Sequence, residues 1–253
     1  LKKQLFLIAA ISFAVVSRAF PVNIDHLLLP GMTGFVSTLS AGPTWYQAGK
    51  TQTLSLQPGL ENTYVTGRPS SILASGELFL GFATVISPKL LGQLGLMFAT
   101  TSHARLLGDV WETADPLLDN YNYTYDVRDV RVGLKGKFLS VMLHDFVLPY
   151  GSAGIGVGYN KAYNYSITPK LFEAVPPPAF GPHSNTTVVY SLGTGIHLIL
   201  SPQIQVVIGY EFCDLGKSLL QAAPGQLQGN GLLIEHFYTH ALQLGLSYLA
   251  KEF

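Results

Sequence analysis

Eight stretches of this chain alternate large apolar residues with small or polar ones, and the links between them run short and long in turn. Successive strand side chains point to opposite faces, so such a stretch makes a strand with one apolar and one polar face. The clearest sets Leu242, Leu244, Leu246, Tyr248 and Ala250 against Gln243, Gly245 and Ser247. A second sets Ile204, Val206, Ile208, Tyr210 and Phe212 against Gln205, Gly209, Glu211 and Cys213. A third sets Val130, Val132, Leu134 and Phe138 against Arg131, Gly133, Lys135 and Lys137. The remaining five lie near residues 35–45, 77–82, 93–99, 150–160 and 188–198.

The polar faces are rich in Gly, Ser, Gln and charge, which makes a poor soluble core. A narrow barrel with apolar residues facing lipid and small or polar residues filling the lumen fits better. A soluble up-and-down barrel of the lipocalin kind is the alternative, but it wants charge on its outward faces, and these carry almost none. Charged residues make up 12% of the chain and mean hydropathy is +0.30. Soluble domains carry about 25% charge. Beyond the amino terminus there is no apolar run of about 18 residues that could cross as a helix.

The first residues read as a secretory signal. Lys2 and Lys3 precede an apolar stretch from Leu5 to Val16, and Ser17-Arg18-Ala19 supplies small residues for cleavage. The expected organisation is a signal peptide over 1–19, a periplasmic segment over 20–33 and a barrel over 34–253. Removing Lys2, Lys3 and Arg18 takes the basic count from 15 to 12 against 15 acidic residues, so nothing suggests nucleic acid as a partner. Cys213 is the single cysteine, which excludes an internal disulfide.

Short links follow the second, fourth and sixth strands, near 87–89, 139–145 and 201–203; long links near 49–71, 103–121, 164–186 and 214–235 follow the odd strands. Bacterial outer-membrane barrels have short periplasmic turns, long external loops and an even strand number. The fold expected is therefore all-β, an eight-stranded antiparallel up-and-down transmembrane barrel. It lies in the outer membrane with its long loops extracellular and both termini periplasmic.

Inward parity collects Glu77, Arg131, Lys135, Lys137 and Glu211, together with His197. Unpaired buried charge is costly, so these predict a lumen ionic network that plugs the barrel. Aromatic residues gather where strands meet long links: Trp45 with Tyr46, Tyr121 with Tyr123 and Tyr125, Tyr159 with Tyr163 and Tyr165, and Phe237 with Tyr238. They read as an outer girdle at the membrane interface, carried by Trp45, Tyr121, Tyr123, Tyr159, Tyr163 and Phe237. Tyr121, Tyr123 and Tyr125 are odd whereas Val130 and Val132 are even. A bulge and phase slip, or departure from the membrane, is expected near Arg128-Asp129.

No catalytic set emerges. Ser102-His103 and His183-Ser184 are neighbours, which on a strand point to opposite faces. His236 and His240 would lie roughly 13 Å apart on a strand, too far to share one metal. Asp109, Glu112, Asp115, Asp119 and Asp126 read as a solvated acidic loop and match no calcium-binding loop spacing. No cofactor or metal is expected, nor an enzymatic role.

Tyr150-Gly151-Ser152-Ala153-Gly154-Ile155-Gly156-Val157-Gly158-Tyr159 after Pro149 is similar to a strand of OmpA-like and opacity-type surface antigens. Gly209-Tyr210-Glu211-Phe212-Cys213-Asp214-Leu215-Gly216 resembles their penultimate strand. Gly76-Glu77-Leu78-Phe79-Leu80-Gly81 and the Asp109 to Pro116 stretch resemble a subgroup of small Gram-negative outer-membrane β-barrel proteins. Phe253, with Tyr248 on the apolar parity, resembles the carboxy-terminal aromatic insertion signal of such proteins. Phe253 departs in parity from Leu242 to Ala250, which calls for a second phase slip or an imperfect insertion signal. The resemblance implies a non-enzymatic surface protein acting through its loops in adhesion, host interaction or envelope integrity. The partners implied are outer-membrane lipid and lipopolysaccharide, the insertion machinery and host surface molecules. A narrow porin-like channel for small solutes or hydrophobic molecules is the alternative.

Overall fold

The computed structural model describes residues 33–251 apart from 48, 58, 69–70, 142–145, 172–174, 227–228 and 230. The expected signal segment, the amino-terminal link and Phe253, with its phase slip, lie outside the described residues.

The described residues form thirteen strands: β1 Thr33–Tyr46, β2 Gln52–Gln57, β3 Leu60–Thr66, β4 Leu73–Ser87, β5 Leu90–Thr101, β6 Ala104–Trp111, β7 Asp119–Ser140, β8 Val147–Pro169, β9 His183–Ile199, β10 Ile204–Asp214, β11 Ser218–Leu219, β12 Leu233–Ile234 and β13 Tyr238–Lys251. Eight of them close a ring in the order β1-β4-β5-β7-β8-β9-β10-β13 and back to β1, every pair antiparallel. Closure leaves no open edge in the ring, the condition for strands to cross lipid. Around it runs a belt of exposed apolar side chains, with Leu39 and Leu94 each 64% exposed and Leu244 63%. On β7 the belt runs from Val130 to Phe138, roughly 26 Å along the strand at about 3.3 Å per residue. Strand tilt reduces its height to roughly 20 Å, near the ~25 Å apolar band of membrane barrels.

The strands extend well beyond that belt. β7 has 22 residues and β8 has 23. Past the belt, β7 pairs with β6 instead of β5, and β6 pairs with β3, which pairs with β2. The first two long links therefore contribute an ordered second storey at one end of the barrel. The long link after β10 carries the β11–β12 pair, tied by a bridge between Gly181 and Gln221 to the link after β8.

Of the two outcomes expected near Arg128–Asp129, a phase slip on β7 does not occur, and the strand instead leaves the apolar belt at that point. Tyr121, Tyr123, Tyr125, Val127, Asp129, Arg131, Lys135 and Lys137 are all buried on one parity. What changes there is the solvent outside. Over the belt the outward residues are apolar, and beyond it they are Arg128, Thr124 and Asn122. Inward residues change from charged to aromatic at the same height. The irregularities lie on the neighbours. From Thr124 to Asp126, β7 advances two residues while β8 advances three, from Ser166 to Tyr163, with Asn164 at φ 56. Between Val130 and Val127, β7 advances three residues while its partners advance four, from Thr100 to Ala104. There Ser102 N donates to Ala74 O (2.8 Å) and Ala74 N to Ser102 Oγ (3.0 Å).

Candidate functional site: a closed lumen and an ordered cap

Lys135 stands at mid-lumen because β7 presents its odd residues inward. Its Nζ donates to Glu77 Oε1 (2.7 Å) and Oε2 (2.8 Å) on β4, and also to Glu211 on β10. A single ammonium thus ties together three strands. Arg131, four residues along β7, donates to Asp129 Oδ2 (2.7 Å) and lies 3.7 Å from Glu211 Oε1. Glu77, Asp129, Arg131, Lys135 and Glu211 are each at most 5% exposed. Asp129 was not among the expected lumen charges; its odd parity, shared with Arg131, was the available signal.

Lys137 departs from the expected network. It forms no carboxylate ion pair among the described residues; its ammonium lies over the Phe79 ring (4.4 Å) and toward the Tyr150 ring (6.0 Å). Two aromatic faces supply the attraction that a carboxylate would otherwise provide. Tyr150 also meets His197 edge to face, with ring centroids 5.1 Å apart, and His197 Nδ1 is hydrogen-bonded to Gln205 Oε1 at 2.8 Å. Tyr150 lies over the paired glycines Gly195 and Gly209: a Cβ on Gly209 would stand 2.1 Å from its hydroxyl.

Apolar clusters close the lumen on both sides of these charges. Toward the short turns lie Val36, Phe79, Leu91, Leu148, Val207 and Leu249, with Leu139 and Ile199. Toward the long links lies a larger core with Tyr46, Tyr64, Leu106, Tyr121, Tyr123 and Tyr125 among its members. Leu215, Leu220, Leu232 and Ile234 from the link after β10 turn into that core. Asn160 anchors this link by donating to Leu215 O (2.7 Å) and Lys217 O (2.9 Å). Asp214 pins its base: Oδ1 accepts from Gly216 N (2.8 Å) and Oδ2 lies 2.7 Å from His236 Nδ1. Cys213 is buried at the same level.

The expected aromatic girdle divides between two faces. Trp45 and Tyr159 are 40% and 52% exposed and face outward, and Tyr163 lies on the same outer wall beside Lys161. Tyr121, Tyr123 and Phe237 are corrections: at 1%, 4% and 1% exposure they belong to the cap core, not to a membrane interface. Chain neighbours point oppositely, so Tyr46 and Phe237 meet inside (centroids 5.8 Å apart) while Trp45 and Tyr238 face out. On β8 the Asn164 bulge sends Tyr165 inward against Tyr123 and Phe180, although it shares parity with Tyr163. Tyr248, 47% exposed, sits on the outer belt.

The acidic stretch meets solvent at Asp109 and Asp119, as expected, but these two and Asp126 lie on strands and not in a loop. Lys170 donates to Asp109 and Asp119, each at 2.6 Å, and Arg105 lies 3.6 Å from Asp126. Among the described residues no cluster of three or more His, Cys, Asp or Glu could hold a metal ion. Burial pushes the hydroxyl of Tyr123, in the cap above the membrane belt, up to about 12, and raises Tyr64, Tyr125 and Tyr165 as well.

Residues 78–249, more than half of the chain, match the family model of the outer membrane protein beta-barrel domain. The chain belongs to this family. It is an outer-membrane barrel protein, and the belt of apolar residues is its membrane-crossing zone. Solved structures of similar fold include neisserial surface protein A, 12% identical, covering 85% of this chain and 96% of its own, with a TM-score of 0.41. The outer membrane protein OprG from Pseudomonas aeruginosa is 13% identical, covering 87% of this chain and 97% of its own, with a TM-score of 0.43. The attachment invasion locus protein of Yersinia pestis is 12% identical, covering 87% of this chain and 99% of its own, with a TM-score of 0.34. No curated protein matches the chain.

Proposed function

We propose that this is a non-enzymatic surface barrel whose working part is the ordered cap, exposed outside the cell, with both termini periplasmic. The carrying observation is the closure of the lumen at three levels: an apolar cluster, a buried ionic bridge and a second apolar core under the cap. A barrel filled in this way offers a surface, not a path. Two features favour contact with a partner. The tip of the β6–β7 hairpin holds Leu117 90% exposed, and the link after β8 holds Val175 83% exposed. These links are joined, since Lys170 N donates to Asn120 O (2.7 Å) and Tyr121 Oη to Val175 O (2.7 Å). Large apolar groups on an ordered, acid-bearing tip suit adhesion to another macromolecular surface.

The test compares binding of intact bacteria to host-cell or envelope surfaces with wild type and with a Leu117→Ser, Val175→Ser variant. Reduced binding at equal surface levels supports the reading. Unchanged binding by this variant and by a strain lacking the protein would contradict it. Labelling of a cysteine placed at residue 117 on intact cells tests the orientation separately. Reproducible channel activity would favour a pore instead, and altered lipid A in a deletion strain would favour an enzyme.

A further inference from the structure

A cavity of 330 Å³ opens in the cap between the β1–β2 link and the segment that runs from β12 into β13. Its walls are tied together. Gln52 Nε2 donates to Leu233 O (2.7 Å), Gln52 Oε1 accepts from Leu233 N (3.0 Å), and Gln47 N donates to Tyr238 O (3.0 Å). Gly49 lets the link pass close to the other wall: a Cβ there would lie 3.3 Å from Ile234 Cγ1. The pocket is therefore formed before any ligand arrives, so little order is lost on binding. Lys50 lines it from the link and Glu235 from the opposite segment. Both are exposed, and among the described residues neither forms an ion pair. His236 lines it too. Its Nδ1 lies 2.7 Å from Oδ2 of the buried Asp214, which fixes the ring and leaves Nε2 unengaged among the described residues. The imidazole ends a stack of rings: it lies on Tyr238 with planes 5° apart and centroids at 5.6 Å, and Tyr238 lies 5.7 Å from Phe212.

We infer that this pocket binds a neutral sugar ring, a hexose or N-acetylhexosamine at the end of a glycan. The pairing of functional groups selects the ligand. An anion needs donors alone and a cation acceptors alone, whereas a hydroxyl both donates and accepts. Lys50 and Glu235 offer one of each from facing walls without closing on one another, so neighbouring hydroxyls of one ring can bridge them. One positive and one negative side chain give no net attraction for a polysulfated or phosphorylated ligand. The C–H groups of a pyranose carry partial positive charge and pack on the electron-rich face of an aromatic stack, here the one that His236 ends. The volume suits so small a ligand, at the low end of the roughly 300–1,000 Å³ of ligand pockets. The pocket is built from other links than the Leu117 and Val175 tip, so adhesion through that tip and sugar binding here can fail separately.

Saturation-transfer NMR of the purified, detergent-solubilised protein tests the site. The probes are methyl glycosides of glucose, galactose, mannose and N-acetylglucosamine, with a polysulfated disaccharide as the anionic comparison. At least one neutral glycoside should receive saturable transfer. A Lys50→Gln, Glu235→Gln variant should weaken its binding about tenfold or more, because both charge-assisted hydrogen bonds are lost. His236→Ala should reduce transfer to the ring protons with both charges intact. All three side chains are exposed, and heat-modifiable gel migration checks that each variant is folded. Transfer to none of the neutral glycosides, or unchanged binding by the double variant, would overturn the site. Tighter binding of the polysulfated disaccharide would overturn the assignment to a neutral sugar. Polysaccharide from the bacterium's own envelope and glycans released from host cells, titrated in the same way, distinguish the two sources of such a sugar.

Discussion

At the residue scale the central object is Lys135, shared by two carboxylates from strands on different sides of the ring. Removing it leaves Glu77 and Glu211 buried in the lumen without their shared cation. Lys135→Ala should destabilise the folded barrel by about 3–5 kcal/mol, the usual cost of breaking a buried pair. Replacing Lys135 together with one carboxylate (Lys135→Met, Glu77→Gln) should cost less than Lys135→Ala, because the charge balance of the lumen is kept and Glu211 retains Arg131. Urea titration of vesicle-refolded protein measures both; a double variant weaker than the single one would show that the bridge stabilises in its own right. Gly209 gives a steric counterpart. Gly209→Val would drive a side chain into Tyr150 and should cost about 1–3 kcal/mol. A second change, Tyr150→Ala, should recover part of that loss, and additive losses in the double-mutant cycle would show that the two positions are uncoupled.

At the element scale the strands are built for two solvents. Within the belt, β7 places Val130 and Val132 in lipid and Arg131 and Lys135 inside. Beyond it, the same strand places Arg128 and Asn122 in water and Tyr121, Tyr123 and Tyr125 inside. The ring strands were legible in the sequence wherever apolar residues face lipid, because every second residue repeats one requirement. The continuation of β7 past Arg128 was not, because polarity inverts without any change of phase, and an inverted alternation reads as a slip. The girdle failed for the same reason: Tyr121, Tyr123 and Phe237 are aromatic, but only the solvent on each side decides which way an aromatic residue is useful. The Glu77, Lys135 and Glu211 pairing follows from shared inward parity, whereas the surroundings of Lys137 depend on Phe79 and Tyr150, whose heights in the lumen parity does not give.

The buried tyrosines of the cap carry a pH consequence. In the unfolded chain a tyrosine ionises near pH 10. In the cap, burial holds Tyr123 protonated to about 12 and raises Tyr64, Tyr125 and Tyr165. Their contribution to stability is therefore complete below about pH 10 and is lost as pH rises toward 12 and beyond. A late phase of tyrosinate absorbance, above about pH 10, should appear together with loss of near-UV circular dichroism. Ionisation of every tyrosine in one phase near pH 10, without structural change, would place these hydroxyls in water.

At the scale of the whole molecule, the account depends on a lumen that holds side chains in place of a conduit. An eight-stranded ring has room for little more than its own interior residues. Here those residues form an ionic bridge between two apolar clusters, under a cap that the link after β10 helps to fill. In the proposed function such a cylinder serves as a support for recognition at the cap in place of transport. Planar-bilayer recording of the purified, correctly inserted protein tests this claim most directly. The account predicts a quiet membrane with no discrete current steps; reproducible single-channel steps from the wild-type protein would contradict it.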